Sequence, residues 1–183
     1  MIYFQKVENN SMIKILSQLA IDIFKDYYVP ILGTEQVEYM VKMFHTPSAI
    51  KKQINNGCYF YLVYEGTNPC GFFGIEKHGF RLFLSKLYLV KSHRHKGIGR
   101  QMIEKILDLA ESEERVYLYV NKHNDDSINF YDKIGFNRIG EIVTNIGSNY
   151  IMDDYIYEME ITKTYSPTLI EKVSNFTEKI IWK

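Results

Sequence analysis

The stretch Leu87-Tyr-Leu-Val-Lys-Ser-His-Arg-His-Lys-Gly-Ile-Gly-Arg100 concentrates the residue types that bind an oxyanion. A strand runs into a short loop carrying Arg94, Lys96, Gly97 and Gly99, and a helix begins at once. Glycine lets backbone N–H groups approach an anion closely, and the helix N-terminus adds partial positive charge. Arg94, Lys96 and Arg100 place full charges around the same turn, and a pyrophosphate is the guest it fits. The two glycines also suit a plain strand-to-helix turn among solvated basic side chains, so the turn alone leaves both readings open. It has neither the GKS/GKT ending of a Walker loop nor the third glycine of a dinucleotide fingerprint, which disfavours NTP and NAD.

Two other groups could do chemistry. Asp153 and Asp154 stand together beside Tyr150 and Tyr155, a setting that suits a cationic amine through charge and cation–π contact; the same residues also read as a polar hairpin entering a last strand. His93-x-His95 lacks carboxylate or cysteine partners at ligand spacing, so no metal site is expected. Cys58 and Cys70 are the only thiols, too few for a zinc set.

The elements that position these groups follow from the apolar periods. Residues 2–7 alternate as a first strand. Asn10 or Ser11 can cap a helix with Ile15, Leu16, Leu19, Ile23 and Phe24 inside, broken by Pro30 and Gly33 after Tyr27–Tyr28. Helical runs at Glu35–Phe44 and Ser48–Ile54 precede a hairpin, Cys58–Tyr64 with Cys70–Glu76, and a long strand, Phe80–Val90. Ile98–Glu111 is a strong amphipathic helix, followed by a short strand (Val116–Val120), a helix (Ser127–Ile134) and strands at Phe136–Val143 and Tyr155–Ile161. The mixture predicts an α/β sheet with helices on both faces. Residues 1–163 read as one domain. Residues 164–183 read as an appended amphipathic helix, with Ser166 as cap, Pro167 in the first turn, and a stripe of Leu169, Ile170, Val173, Phe176 and Ile180. That stripe must be buried, against the domain or in a homodimer.

Composition narrows the class. With 183 residues and 46% hydrophobic content, the chain can build a substantial core. Lys+Arg and Asp+Glu balance at 22 each, which argues against a nucleic-acid binder. No apolar run approaches the roughly 18 residues of a membrane span, and no secretory leader is evident, so a cytoplasmic protein with reduced thiols is expected.

Arg94-His-Lys-Gly97-Ile-Gly99 resembles the Arg/Gln-x-x-Gly-x-Gly/Ala loop of the GNAT superfamily of acetyl-CoA-dependent N-acetyltransferases. Asn124-Asp-Asp-Ser-Ile-Asn-Phe-Tyr131-Asp-Lys-Ile-Gly135-Phe136 resembles the family's second motif, N-x-x-A/S-x-x-F-Y-x-x-x-G-F, and is similar to the corresponding part of the spermidine/spermine N-acetyltransferases. The resemblance spans about residues 1–161 in element order and is closest over 84–136. It implies a mixed, mostly antiparallel twisted sheet that splays beside its fourth strand, acetyl-CoA as co-substrate, and acetyl transfer to a primary amine of a small, polyamine-like molecule by direct attack. The alternatives are a non-catalytic module that binds CoA or an amine, and an enzyme that acetylates a protein N-terminus or lysine.

By motif position, the resemblance implies that Leu87, Tyr88 and Leu89 flank the pantetheine arm and that Arg94, His95, Lys96, Gly97, Ile98, Gly99 and Arg100 cradle the pyrophosphate. Asn124 and Ser127 would meet the cofactor arm, though Asn124 is also a natural helix cap. Tyr131 would protonate the leaving thiolate; outside this motif it would read as a packing aromatic. Polyamine-type relatives carry a carboxylate where Ser85 stands, which leaves the proton acceptor open. Glu76, His78, Asp153 and Asp154 are substitutes. Tyr28 and Glu35, near the junction of the first two helices, together with Glu76, Asp153 and Asp154, are the expected acceptor-binding residues.

Overall fold

The computed structural model describes residues 1–110 and 114–161. After the edge strand β1 (Ile2–Lys6), α1 spans Asn10–Leu32 and is capped by Asn9, whose side-chain oxygen accepts from the Met12 N–H at 3.0 Å. Leu16, Ala20, Ile23 and Phe24 bury its inner face, while Ile15, expected inside, is 39% exposed. The helix runs through Pro30 rather than breaking before it. Proline withholds a donor only from the carbonyl of Asp26, which is exposed and open to water. Gly33, at φ 81°, then ends the helix with its N–H on the Val29 carbonyl at 3.0 Å. Tyr27 and Tyr28 are therefore fixed on a helix. Next come α2 (Thr34–Phe44) and α3 (Pro47–Asn55).

The sheet elements are β2 (Cys58–Glu65), β3 (Asn68–His78), β4 (Arg81–Leu89), β5 (Arg115–Asn121), β6 (Asn137–Gly147) and β7 (Tyr150–Glu160). Helix α4 (Ile98–Leu109) precedes β5 and α5 (Asp125–Ile134) follows it. The order across the sheet is β1-β2-β3-β4-β5-β7-β6, antiparallel except between β4 and β5. Helices α4 and α5 pack one face, where Met102 and Ile106 meet Phe73, Leu82 and Leu118. Helices α1–α3 pack the other. This is the mixed, mostly antiparallel architecture expected. Residues 147–155, read from sequence as a loop, are largely strand: the β6–β7 pairing extends from Asn137↔Glu158 to Gly147↔Tyr150, with Ser148 and Asn149 at positive φ in the turn.

One irregularity positions the site. Strands β4 and β5 pair only over Arg81–Leu84 and Arg115–Leu118. In β4, Leu84 pairs with Ile75 and Lys86 with Gly74, so Ser85 bulges out of the ladder. Beyond that bulge the two strands part, leaving a gap between residues 85–89 and 119–121. Among the described residues no helix is long and apolar enough to cross a membrane. The amphipathic helix expected at 164–183, the homodimer tied to it, and Glu111 at the expected end of α4 all fall outside the described residues.

Candidate active site

The walls of the gap carry unpaired backbone. Val90 donates its N–H to the Cys70 carbonyl at 2.9 Å, so by the pleat's alternation Tyr88 and Lys86 also turn their N–H groups toward β3, while Leu87 and Leu89 turn theirs into the gap. The Leu89 carbonyl accepts from Arg94 Nε at 3.1 Å, and that guanidinium lies 4.8 Å from the Tyr27 ring. Arg94 is thus held at the mouth of the gap by a strand on one side and α1 on the other.

Helix α4 starts at the same mouth. Gly97 is its N-cap at φ 79°, and no side chain caps it. The first bond into the helix runs from the Gln101 N–H to the Gly97 carbonyl at 3.2 Å, so the N–H groups of Ile98, Gly99 and Arg100 have no helical acceptor. Arg94 lies at the same mouth, while Lys96 and Arg100 are exposed beside it and Arg100 Nε lies 3.9 Å from Glu104 Oε1, so free donors and positive charge meet at this turn. Gly99 serves a further purpose: a Cβ there would lie 2.9 Å from Phe130 Cε2, so its absence lets α5 pack against the start of α4.

A cavity of about 680 Å³ runs through the gap, within the range of small-molecule sites. Its wall includes Tyr28, Leu87, Tyr88, Leu89, Arg94, His95, Gly97, Gly99, Arg100, Asn124, Ser127 and Tyr131 of the expected residues. Tyr27, Ser85, Lys86, Tyr119 and Phe130 join them. Lys96 is exposed beside the loop, and the Ile98 side chain is core, which leaves only its N–H for a ligand. Glu35, Glu76, Asp153 and Asp154 are not on this wall. Glu35 is exposed in the first turn of α2, and Glu76 lies 3.5 Å from His78 Nε2, whose ring partner Nδ1 is 2.6 Å from the Tyr117 hydroxyl.

Tyr131 is 7% exposed, with its ring wedged among Phe130, Phe136 and Tyr157. No hydrogen bond joins its hydroxyl to another described residue; the ring is buried, and the residue lines the cavity. Burial first, and the neighbouring Tyr28 second, raise its pKa. The result is a phenol that keeps its proton and has nothing in the protein to give it to.

Asn124 is committed to the protein. Its side-chain oxygen accepts from the Tyr27 hydroxyl at 2.6 Å and from the Ser127 N–H at 3.1 Å, capping α5, and its amide donates to the Tyr28 hydroxyl at 3.2 Å. The cap role is the one observed, and it couples α1 to α5 across the cavity. Tyr28, also raised to about 12 by burial, interacts in turn with the Tyr88 phenol.

The paired aspartates are separated by the pleat. Asp153 is ion-paired with Lys122 at 2.7 Å on the α5 side. Asp154 is 3% exposed on the opposite face, where its charge acts on Tyr28 and Tyr88. Burial, then Asp153, raises the Asp154 pKa to about 6. A raised carboxyl favours the fold only while protonated, so this contribution is full below about pH 4 and lost as pH rises through 6. Asp154→Asn should therefore stabilise the protein above pH 7 by about 2 kcal/mol and leave it unchanged near pH 4, measured by urea unfolding across that range. A loss of stability at pH 7 would show that the carboxylate is paired.

Position 85 carries no carboxylate. Ser85 donates to the Gly74 carbonyl at 3.1 Å, and its neighbour Lys86 donates to Gln53 Oε1 at 2.7 Å with a pKa lowered by burial. The bulge puts both side chains on the α1–α3 face, a feature that alternation alone did not reveal. Phe130 opposite Gly99 and Tyr119 on the cavity wall were also missed.

Known proteins resemble this chain in sequence and in fold. Residues 19–136, more than half of the chain, match the model of the acetyltransferase (GNAT) family. N-alpha-acetyltransferase 50 of Danio rerio is 34% identical over 59 residues, covering 31% of this chain and 35% of that protein. An uncharacterized N-acetyltransferase, YobR, of Bacillus subtilis is 38% identical over 60 residues, 32% of this chain and 24% of its own. The matched segment thus spans about a third of the first relative and a quarter of the second. Among solved structures, a PaiA N-acetyltransferase from Thermoplasma acidophilum in complex with coenzyme A superposes with a TM-score of 0.73 at 21% identity, over 87% of this chain and 99% of that one. A spermidine N-acetyltransferase from Vibrio cholerae, solved with CoA and spermine, gives 0.64 at 15% identity, over 88% and 96%. These structures share its fold, and by its own sequence the chain belongs to the acetyltransferase (GNAT) family.

Proposed function

We propose that the protein transfers the acetyl group of acetyl-CoA to a primary amine of a small, polyamine-like molecule by direct attack within a ternary complex. The observation that carries this reading is the unpartnered Tyr131 hydroxyl lining a gap whose mouth is an anion site. In this reading the N–H groups of Ile98, Gly99 and Arg100, with Arg94, Lys96 and His95 around them, hold the pyrophosphate. Unpaired backbone at Leu87 and Leu89 aligns the pantetheine amides as an added strand would, and an N–H there faces the carbonyl oxygen on which charge develops. The amine nitrogen forms a bond to the thioester carbon, the carbon–sulfur bond breaks with Tyr131 giving its proton to the departing sulfur, and the proton that the nitrogen sheds in becoming an amide returns to the Tyr131 phenolate.

The attacking amine must first lose a proton, since an alkylammonium has a pKa of about 10.4. Asp154 is the acceptor we assign. It is the carboxylate on the acceptor face, and its pKa of about 6 leaves it ionised yet basic near neutrality. It lies off the cavity wall, so the proton would reach it through water, while its charge acts on the phenols of Tyr28 and Tyr88 at that wall. Asp154, with tyrosines on the wall, supports a cationic acceptor. The spermidine acetyltransferase among the structural neighbours is consistent with that class. A protein N-terminus is the second reading, favoured by the match to N-alpha-acetyltransferase 50.

Release of the CoA thiol, screened over polyamines, diamines, aminoglycosides and an N-terminal peptide, separates these readings. Turnover with polyamines or diamines at least tenfold above the peptide is expected. Peptide-selective release would favour the second reading, and acetyl-CoA binding without any acceptor-dependent release would overturn transfer altogether.

A further inference from the structure

Tyr27 lines the cavity, yet no step of the transfer uses it. It belongs to neither motif; α1 carries it to the gap from the sheet face opposite α4 and α5. The Arg94 guanidinium lies over its ring at 4.8 Å, and its hydroxyl donates to Asn124 Oδ1 at 2.6 Å. Asn124 is buried and is itself fixed, because the same oxygen accepts from the Ser127 N–H at 3.1 Å to cap α5. The edge-on ring of Tyr28, 5.2 Å away, closes one side. Helix α1 therefore holds the Tyr27 ring at its backbone end, and the cap of α5 holds it at the hydroxyl.

Arg94 needs such a support. It stands between the short turn Lys91–His93 and the helix-starting Gly97, outside strand and helix, and an arginine side chain has many rotamers to lose. Its Nε donates to the Leu89 carbonyl at 3.1 Å, which uses one edge of the guanidinium, while the Tyr27 ring covers one face. The N–H groups at Nη1 and Nη2 bond to no described residue, and no carboxylate among the described residues pairs with Arg94. Asp125 and Asp126, at the start of α5, are near enough for their charge to act on the Tyr27 phenol without engaging that fork. A guanidinium held by edge and face, with its fork open, is prepared for two parallel bonds to phosphate oxygens.

We propose that Tyr27 is a positioning residue for the diphosphate: its ring, tethered to Asn124, fixes the Arg94 guanidinium before the cofactor arrives. This role rests on the reading that the CoA diphosphate lies at the start of α4, and adds to that site a residue that acts through Arg94. Fixing a long side chain in advance removes an ordering cost from binding, so affinity rises without a new contact to the ligand. The chemistry of the residue matters at both ends. Leucine would fill space but present no negative ring face to the cation, and phenylalanine would keep the face while losing the tether.

A double-mutant cycle on the full chain, read by calorimetric titration with ADP and with acetyl-CoA, tests the role; ADP carries the diphosphate without the pantetheine arm. With ligand taken into the millimolar range, Tyr27→Leu should weaken both about tenfold and Tyr27→Phe about fourfold. In the Arg94→Met background, where no guanidinium remains to be held, neither substitution should move either Kd by more than about twofold. Unchanged binding in both Tyr27 variants would overturn the proposal. Equal losses in the two backgrounds would also overturn it, since Tyr27 would then act through the packing of α1. The Tyr27→Phe arm carries the same test if Tyr27→Leu does not fold. A wild-type protein that binds neither ligand, or an Arg94→Met protein that binds both as the wild type does, would overturn the diphosphate reading and the proposal with it.

Discussion

Tyr131→Phe is expected to lower kcat by about a hundredfold while the Kd for acetyl-CoA stays within about twofold. The phenol's ring makes the packing contacts with Phe130, Phe136 and Tyr157, and phenylalanine keeps them. Only the hydroxyl is lost, and among the described residues it bonds to nothing. Removing a hydroxyl that bonds to no described residue should leave Tm nearly unchanged, which separates a catalytic loss from a folding defect. Steady-state kinetics beside a calorimetric titration provide both numbers. Wild-type turnover in the variant would remove the phenol from the chemistry. Since burial raises the Tyr131 pKa, the donor stays protonated through the alkaline range, and kcat should show no alkaline limb attributable to it below pH 10.

Gly97→Asp should weaken acetyl-CoA binding by about a hundredfold, with the loss shrinking as salt is raised. Gly97 sits at φ 79° with open space where a Cβ would stand, and aspartate tolerates that conformation better than most residues. The penalty is therefore mainly electrostatic: a carboxylate some 4–5 Å from a pyrophosphate is worth about 3–4 kcal/mol of repulsion at an effective dielectric near 20. Gly97→Ala, which carries the conformational cost alone, should lose about 1 kcal/mol and show little salt dependence. Equal effects of the two substitutions in a titration over a salt series would mean that the turn acts through its shape and holds no anion.

Much of the fold was legible because period and punctuation agree. The amphipathic repeat of Ile98, Met102 and Ile106 specifies one face, and those residues are buried there, while the aromatic and β-branched run Cys58–Tyr64 is the hairpin strand it was expected to be. The exceptions have physical causes. Pro30 stays in α1 because its lost partner faces water, and Ile15 points outward because Met12, Ile13 and Leu16 already fill the inner stripe. In the site, motif spacing located the turn at Arg94–Arg100 and the phenol at Tyr131. Three features depended on tertiary pairing: the Asn124 cap itself was legible locally, but its tie to α1 was not. The bulge at Ser85 follows from the register with Gly74, the separation of Asp153 from Asp154 follows from the length of β7, and the cap made by Asn124 brings in Tyr27 from 97 residues away. Gly99 had a local reading, close approach to an anion, and the structure adds a second requirement from Phe130.

A crystal structure of the protein with CoA tests the central claim most directly. The diphosphate should rest on the N–H groups of Ile98, Gly99 and Arg100, and the CoA sulfur should lie within about 4 Å of the Tyr131 hydroxyl. A diphosphate bound elsewhere, or a sulfur beyond the reach of that hydroxyl with the gap between β4 and β5 empty, would contradict it.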